Sequence, residues 1–179
     1  PDVTKIAAKL PYTAGIIASD RGQLHQQKQD FSKLTRKDAA KAPVYARDAD
    51  WMLFAYRPTG KTIDHDPGSR YKPYTYSWIA ASDGAVISYG ETFIGKESDG
   101  VEIEIACDQP GVKVEFVDIA ANHYDEVLAE ITPEPGEWFT FKKYKVKWLN
   151  PTTSALVHMA VRVKGGTCRI GAWQVFGAK

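Results

Sequence analysis

The chain has 179 residues with 23 Lys and Arg against 22 Asp and Glu, so its formal net charge is only +1. Its 44% hydrophobic and 25% charged residues are typical of a globular chain and exclude a disordered or disulfide-dense one. The balanced charge, without a block of Lys or Arg, argues against nucleic acid or an anionic membrane surface as a partner. The unusual quantity is the aromatic content of 12%.

The beginning of the chain carries no targeting signal that we recognise. Pro1, Asp2 and Val3 form neither a basic n-region nor an apolar h-region. No apolar run approaches the roughly 18 to 20 residues that a membrane helix needs. We therefore expect either a cytoplasmic protein or a mature or excised piece of something larger.

The first segment differs in composition from the rest. Residues 19–42 are rich in Gln, Lys and Asp and place Leu24, Phe31 and Leu34 at roughly helical intervals. The step into Pro43 would end such a helix. We expect residues 1–42 to form a polar helical or linker segment, followed by one domain of residues 43–179.

After Pro43 the apolar residues follow a period of two, which is typical of strands with one buried face. Turn residues separate these runs at short spacings, and no long helical pattern lies between them. This combination predicts an all-β fold, an antiparallel β-sandwich or jelly roll. The clearest alternating runs are Val101/Ile103/Ile105, Val112/Val114/Phe116, Tyr144/Val146/Trp148 and Val157/Met159/Val161/Val163.

The two cysteines, Cys107 and Cys168, are too few for a disulfide framework and lack metal-ligand spacing. Both lie in or beside predicted strands. Two free buried thiols are favoured over a single disulfide, which remains the alternative.

Few residues suggest catalysis. Asp64, His65 and Asp66 offer a carboxylate-histidine group, but they lie in a Pro/Gly-flanked loop, where solvated turn chemistry is the commoner role. Glu102 and Glu104 lie on one strand face, where a glycosidase carboxylate pair is less common than a solvated sheet face. A jelly-roll enzyme that degrades polysaccharides stays as one alternative function.

The aromatic residues are more informative. Tyr71, Tyr74, Tyr76 and Trp78 provide four rings in eight residues, and Trp138 follows a Pro/Gly-rich turn at the start of a strand. Exposed rings of this kind form platforms on which the C–H faces of sugars stack. They also suit a protein interface, so a protein-interaction domain that uses residues 71–78 is a second alternative.

Four segments in order resemble the family 6 carbohydrate-binding modules, which are galactose-binding-like jelly rolls. The segments are TYSWIAASDGAVISYGETFIG, GVEIEIACDQPGVKVEFVD, GEWFTFKKYKV and ALVHMAVRVKGGTCRIGAWQVF. The resemblance covers roughly residues 70–178, with weaker coverage from Val44. It implies a non-catalytic sugar-binding module.

The resemblance also implies a site in the loops at one end of the sandwich, where two aromatic residues clasp a sugar ring. In this chain the two aromatics correspond to Trp78 and Trp138, and Tyr76 or Tyr74 would widen the apolar wall. The acidic residue corresponds to Asp64, with Asp66 as the neighbouring option. The sugar-binding Asn of the family has no match, because Thr167, Cys168 and Arg169 occupy that stretch; Arg169 would instead donate hydrogen bonds and favour an anionic or differently hydroxylated sugar.

Metal binding is the second point on which the chain departs from the family. Members commonly hold a structural calcium through an early acidic strand. The counterpart here is residues 45–50, with Arg47 where Glu is expected, so Asp48 and Asp50 are the remaining candidate ligands. No other cofactor is expected.

The resulting expectation is a secreted, extracellular and monomeric module that binds a polysaccharide or oligosaccharide. A catalytic domain, such as a glycoside hydrolase, would lie in the same polypeptide and would be kept close to its substrate. The balanced charge suits a neutral polysaccharide. A site on the sheet face, with Glu102 or Arg162, is the alternative location for the sugar.

Overall fold

The computed structural model describes residues 36–57, 78–119, 125–138, 140–151 and 154–179. In these ranges a short 3₁₀ helix, Ala46–Asp48, accompanies nine strands. The strands are β1 Lys37–Asp38, β2 Trp51–Tyr56, β3 Ile79–Phe93, β4 Gly100–Ala106, β5 Lys113–Asp118, β6 Glu126–Ile131, β7 Lys142–Lys147, β8 Leu156–Lys164 and β9 Cys168–Phe176. No helix among the described residues has both the length and the apolar character needed to cross a membrane.

The alternating runs form strands, as predicted. The predicted apolar faces of β4, β5 and β8 lie in one core cluster, while Tyr144 and Val146 of β7 pack against its edge. Most residues between them, such as Glu102, Lys145 and His158, are partly or fully exposed, but Glu115 of β5 and Ala160 of β8 are buried on the opposite face. Period-two patterns therefore identified which face of these strands packs into the core.

The strands pair in the order β6-β5-β8-β3-β9-β4-β7, and β1 and β2 also pair with β3. All of these pairings are antiparallel except β1 with β3. Strand β3 changes partner along its length, since residues 79–81 pair with β9 and residues 86–93 pair with β8. This long strand links the two sides of the sandwich, and the all-β antiparallel architecture agrees with the predicted jelly roll.

Trp173 of β9 lies at the centre of the core with only 1% of its surface exposed. Its ring meets Tyr89 of β3 and Phe116 of β5 edge to face, with centroids 5.2 Å apart in both pairs. Edge-to-face pairs add to the stabilisation that burial provides. One indole therefore contacts both sides of the sandwich and accounts for part of the high aromatic content.

The described end of the predicted N-terminal segment belongs to the sandwich and is not helical. Lys37 and Asp38 form β1, and Ala39 is fully buried. The Ala39 N–H donates to the Phe93 carbonyl at 2.9 Å, and its carbonyl accepts from the Val175 N–H at 3.0 Å. The sheet thus begins before Pro43, while residues 1–35 lie outside the described residues, so the division of the chain into two parts stays a prediction.

The cysteines are both free and both buried, as the sequence favoured. Burial raises the pKa of the Cys168 thiol, and the nearby Cys107 raises it further. The pairs Ile105 with Ile170 and Ala106 with Arg169 place the two thiols at neighbouring positions of β4 and β9. They belong to the same core cluster, where they pack as small apolar groups.

Candidate functional site

The pairing of β9 with its two neighbours places Arg169. This residue lies opposite Ala106 on β4 and opposite Ala80 on β3. Because side chains alternate along a strand, Arg169 and Ala106 face away from the core that contains Cys107 and Cys168. Arg169 therefore enters a second, smaller environment outside the main core.

Aromatic residues at the ends of two strands build that environment. Trp78 precedes β3 and Phe141 precedes β7, and with Ala106 they form a small buried cluster separate from the main core. Trp138 lies in the turn before β7 and is partly exposed. We call Trp78, Trp138, Phe141 and Arg169 the arginine cluster.

The guanidinium of Arg169 lies among the three rings. Its central carbon is 4.0 Å from the centroid of Trp78, 5.5 Å from that of Trp138 and 5.8 Å from that of Phe141. One of its N–H groups, on Nη1, donates to the Trp138 carbonyl at 3.4 Å. Only 3% of Arg169 is exposed, so its cation–π contacts form in a largely desolvated place, where they are strongest.

The predicted pair of sugar-clasping tryptophans is thus brought to the same end of the sandwich, around one arginine. Trp78 is only 4% exposed and has Arg169 against its ring, so it offers little surface to a ligand in this conformation. Trp138 retains partly exposed surface. The arrangement presents one accessible indole, backed by a buried cation, instead of two open faces.

Several predicted site residues lie outside the described residues. These are Asp64, Asp66, Tyr74 and Tyr76, together with His65 and Tyr71 of the alternative functions. Their roles stay predictions. Sequence reasoning did not single out Phe141, although GEWFTF places it three positions after Trp138, close enough for both rings to reach the same arginine.

The candidate calcium ligands are already engaged by protein groups. Asp50 Oδ1 lies 3.0 Å from the Lys37 ammonium, and Asp48 Oδ2 accepts from the Tyr45 N–H at 2.8 Å. No group of three or more His, Cys, Asp and Glu placed to hold a metal occurs in the described part of the chain. Calcium needs six to eight oxygen ligands, so these residues do not fit a calcium ion.

The two candidates for a sheet-face site lie on different strands that are not neighbours. Glu102 on β4 is paired with Lys145 of β7 and Gln174 of β9, and its carboxylate is 3.8 Å from the Lys143 ammonium. Arg162 on β8 is paired with Glu115 of β5. The two residues therefore define two separate surfaces.

The surface around Arg162 contains buried polar atoms. Glu115 has only 4% of its side chain exposed, and its Oε1 lies 2.9 Å from the Lys164 ammonium and 3.7 Å from Arg162 Nη2. Both cations therefore pair with Glu115 Oε1, whereas Arg162 Nε and Ser88 Oγ have no hydrogen-bond partner among the described residues. Burying a polar atom without a hydrogen-bond partner costs free energy.

Strand register organises these atoms into two rows on the side of β5, β8, β3 and β2 that faces away from the core. We call these rows the β8 face. One row runs through Glu115, Arg162, Val86 and Leu53, and the other through Val117, Ala160, Ser88 and Trp51. Val117, Ala160 and Ser88 are fully buried although they do not belong to the core cluster.

Solved structures with known ligands share this architecture. A β-1,3-glucan-binding family 6 carbohydrate-binding module from Bacillus halodurans is 13% identical with a TM-score of 0.62, over 80% of this chain and 100% of that chain. A family 6 module from Clostridium cellulolyticum, solved with xylose, is 12% identical with a TM-score of 0.62, over 79% of this chain and all (100%) of that one.

A larger enzyme contains a similar unit. An arabinoxylan arabinofuranohydrolase of glycoside hydrolase family 43 from Bacillus subtilis is 14% identical with a TM-score of 0.62, and the match covers 79% of this chain but 28% of the enzyme. No protein-family model and no curated protein matches the chain. Identities this low establish the fold alone, and the chain has the jelly-roll fold of the family 6 carbohydrate-binding modules, as its sequence resemblance predicted.

Proposed function

We propose that this chain is a non-catalytic carbohydrate-binding module that takes a polysaccharide at the arginine cluster. The observation that carries the proposal is the convergence of Trp78, Trp138 and Arg169, which are distant in sequence, at one end of the sandwich. The sequence resemblance assigned this end to sugar binding. The similarity in fold to modules that bind a β-1,3-glucan or xylose supports the same class of ligand.

In this proposal Trp138 is the stacking platform, because its ring is partly exposed. Because only 3% of Arg169 is exposed, its role in this proposal is to hold the Trp138 backbone through its carbonyl and to support the indole ring from the interior side. Trp78 is buried more deeply than Trp138, and in this proposal its ring supports the guanidinium of Arg169. Asp64, Tyr74 and Tyr76 would complete the wall of the sugar-binding site.

One stacked ring with a few hydrogen bonds provides roughly micromolar to millimolar affinity. Such weak binding is useful when it raises the local concentration of a tethered enzyme at an insoluble substrate. We therefore place the module in an extracellular polypeptide that also contains a catalytic domain. The family 43 enzyme, of which a similar unit forms about a quarter, supports this organisation.

Affinity gel electrophoresis on plant and algal polysaccharides tests the site. We expect Trp138→Ala to abolish the retardation of the chain by its polysaccharide. Phe176→Ala is the matched control, because Phe176 is a partly exposed aromatic residue at the other end of β9 from Arg169. Retardation that survives Trp138→Ala would contradict the proposed site.

The β8 face is the second candidate location, favoured by Ser88 Oγ and Arg162 Nε, which have no hydrogen-bond partner among the described residues. Trp51 lies in the same row as Ser88 and provides an aromatic ring there. If Trp51→Ala abolishes retardation while Trp138→Ala does not, the ligand binds the β8 face and the class of function stands.

The enzyme alternative needs its own assay. Release of reducing sugar, or of unsaturated products, from a polysaccharide panel would contradict the non-catalytic proposal if His65→Ala abolished it. For the protein-interaction alternative, sedimentation should detect a monomer, and oligosaccharides should change the tryptophan fluorescence. A glycan array would identify the sugar.

A further inference from the structure

Lys37 and Asp50 form an ion pair that is held in place by β3. Lys37 Nζ lies 3.0 Å from Asp50 Oδ1, with 15% and 14% of the two side chains exposed. Lys37 is paired with Thr92 in the parallel β1–β3 contact, and the Asp50 N–H donates to the Ser88 carbonyl at 2.7 Å. Both partners are thus fixed to one strand by their own backbones.

The carboxylate of Asp50 is closely enclosed. Gly90 in the bulge of β3 has no side chain, and a Cβ atom at this position would collide with Asp50 Oδ2. One oxygen therefore lies against the Gly90 backbone while the other receives the ammonium of Lys37. A carboxylate enclosed in this way is strongly destabilising without a cation beside it.

A second cation binds the backbone of the same segment. Arg57 Nη1 donates to the Ala46 carbonyl at 2.9 Å, in the 3₁₀ helix that precedes Asp50. Calcium sites in proteins are built from carboxylate and backbone carbonyl oxygens. Here both kinds of oxygen are bound by side-chain cations of the chain itself.

We propose that Lys37 supplies the positive charge that a structural calcium ion would supply beside Asp50, while Arg57 binds a backbone carbonyl of the preceding 3₁₀ helix, so that this sandwich is stable without a divalent metal. The proposal concerns stability and does not depend on sugar binding. It also gives the described end of the polar segment before Pro43 a function, because Lys37 lies in β1.

The experiment measures thermal unfolding of the full chain by circular dichroism, in EDTA and in excess calcium chloride. We expect the wild-type chain to melt at the same temperature in both. We expect Lys37→Met, which keeps an unbranched side chain but removes the charge, to lower the melting temperature by about 5–10 °C. Lys41→Met is the matched control, since the Lys41 side chain is 83% exposed and 4.0 Å from Asp38.

A double variant separates charge from packing. If Lys37 acts by neutralising Asp50, adding Asp50→Asn to Lys37→Met removes the orphaned charge and recovers much of the lost stability. A melting temperature that stays as low as in the single variant would show that only packing was lost, and would overturn the proposal. So would a rise in the wild-type melting temperature with calcium, or equal effects of Lys37→Met and Lys41→Met.

Discussion

The guanidinium carbon of Arg169 lies 4.0 Å from the centroid of the Trp78 ring, and only 3% of Arg169 is exposed to solvent. The two residues meet because β3 and β9 pair at Ile79 with Ile170 and at Ala80 with Arg169. A buried charge is tolerated here because the faces of three rings and a backbone carbonyl surround it. Arg169 is therefore a structural element of the proposed binding site.

Replacing Arg169 should destabilise the fold as well as weaken binding. We expect Arg169→Ala to lower the free energy of unfolding by about 2 kcal/mol or more, because desolvated cation–π contacts and packing are lost together. Arg169→Lys should recover part of this loss, since an ammonium keeps the charge but lacks the planar face. Urea unfolding followed by tryptophan fluorescence measures both.

Arg36→Ala is the control for that measurement, because Arg36 has a 57% exposed side chain and a surface ion pair with Glu91 at 3.3 Å. Its effect should be within about 1 kcal/mol of zero. Equal losses for Arg169→Ala and Arg36→Ala would contradict the importance of the arginine cluster for stability.

Tyr89 should make the fold sensitive to alkali. Burial raises the pKa of its phenol above the ordinary 10.0, and the Asp48 carboxylate raises it further, while the Trp173 indole N–H and Arg57 lower it. Although Trp173 is near, neither the phenol oxygen nor the indole nitrogen has a hydrogen-bond partner of good geometry in the described part of the chain. The folded chain thus keeps this proton at a pH where the unfolded chain releases it.

The direction of the pH effect follows from that difference. Above about pH 10 the unfolded state binds fewer protons, so stability falls by about 1.4 kcal/mol per pH unit on account of Tyr89. Tyr89→Phe should reduce this slope while leaving stability at pH 7 nearly unchanged. The buried Cys168 thiol contributes a pH dependence of its own, which is the same in the wild-type chain and in Tyr89→Phe. The difference between the stability–pH slopes of the two chains therefore reports on Tyr89. Identical slopes would refute the prediction.

Removing the charge of an exposed lysine should cost more stability when its carboxylate partner is buried than when that partner is exposed. Lys164 lies 2.9 Å from Glu115, whose side chain is 4% exposed, whereas Lys143 lies 3.8 Å from Glu102, whose side chain is 41% exposed. We expect Lys164→Met to cost about 1–3 kcal/mol, because Arg162 alone would then face the buried carboxylate. Lys143→Met should cost about 0–1 kcal/mol. Denaturant unfolding compares them, and a larger effect of Lys143→Met would contradict the burial argument.

Alanine substitutions at Gly90 and Gly111 distinguish the cost of backbone strain from the cost of a steric clash. Both have positive φ, +71° and +82°, but a Cβ at Gly90 would meet the Asp50 carboxylate while one at Gly111 has nothing within 4 Å. Gly111→Ala should therefore cost about 1–2 kcal/mol from strain alone. Gly90→Ala should cost more and displace Asp50 from Lys37. Equal melting temperatures for the two variants would mean that the bulge of β3 adjusts without loss.

The alternation of apolar residues by itself determined the strands and their buried faces, because a period of two is a property of each strand alone. Val157, Met159, Val161 and Val163 are buried in β8 as their spacing predicted. The family resemblance located Trp78, Trp138 and Arg169 at a common end, since it carries information about which strands pair. The period-two alternation and the family motifs can both be read directly from the amino-acid sequence.

Only the tertiary structure decided what those residues do together. The family resemblance makes Arg169 a candidate donor to a sugar, and in the fold β3 and β4 enclose it beside Trp78 with 3% of its surface exposed. Lys37 was assigned to a polar segment, yet the parallel pairing of β1 with β3 brings it to Asp50. Contacts of this kind depend on the register between strands far apart in the chain, and no local pattern of hydrophobic and charged residues encodes which charge will meet which ring or carboxylate.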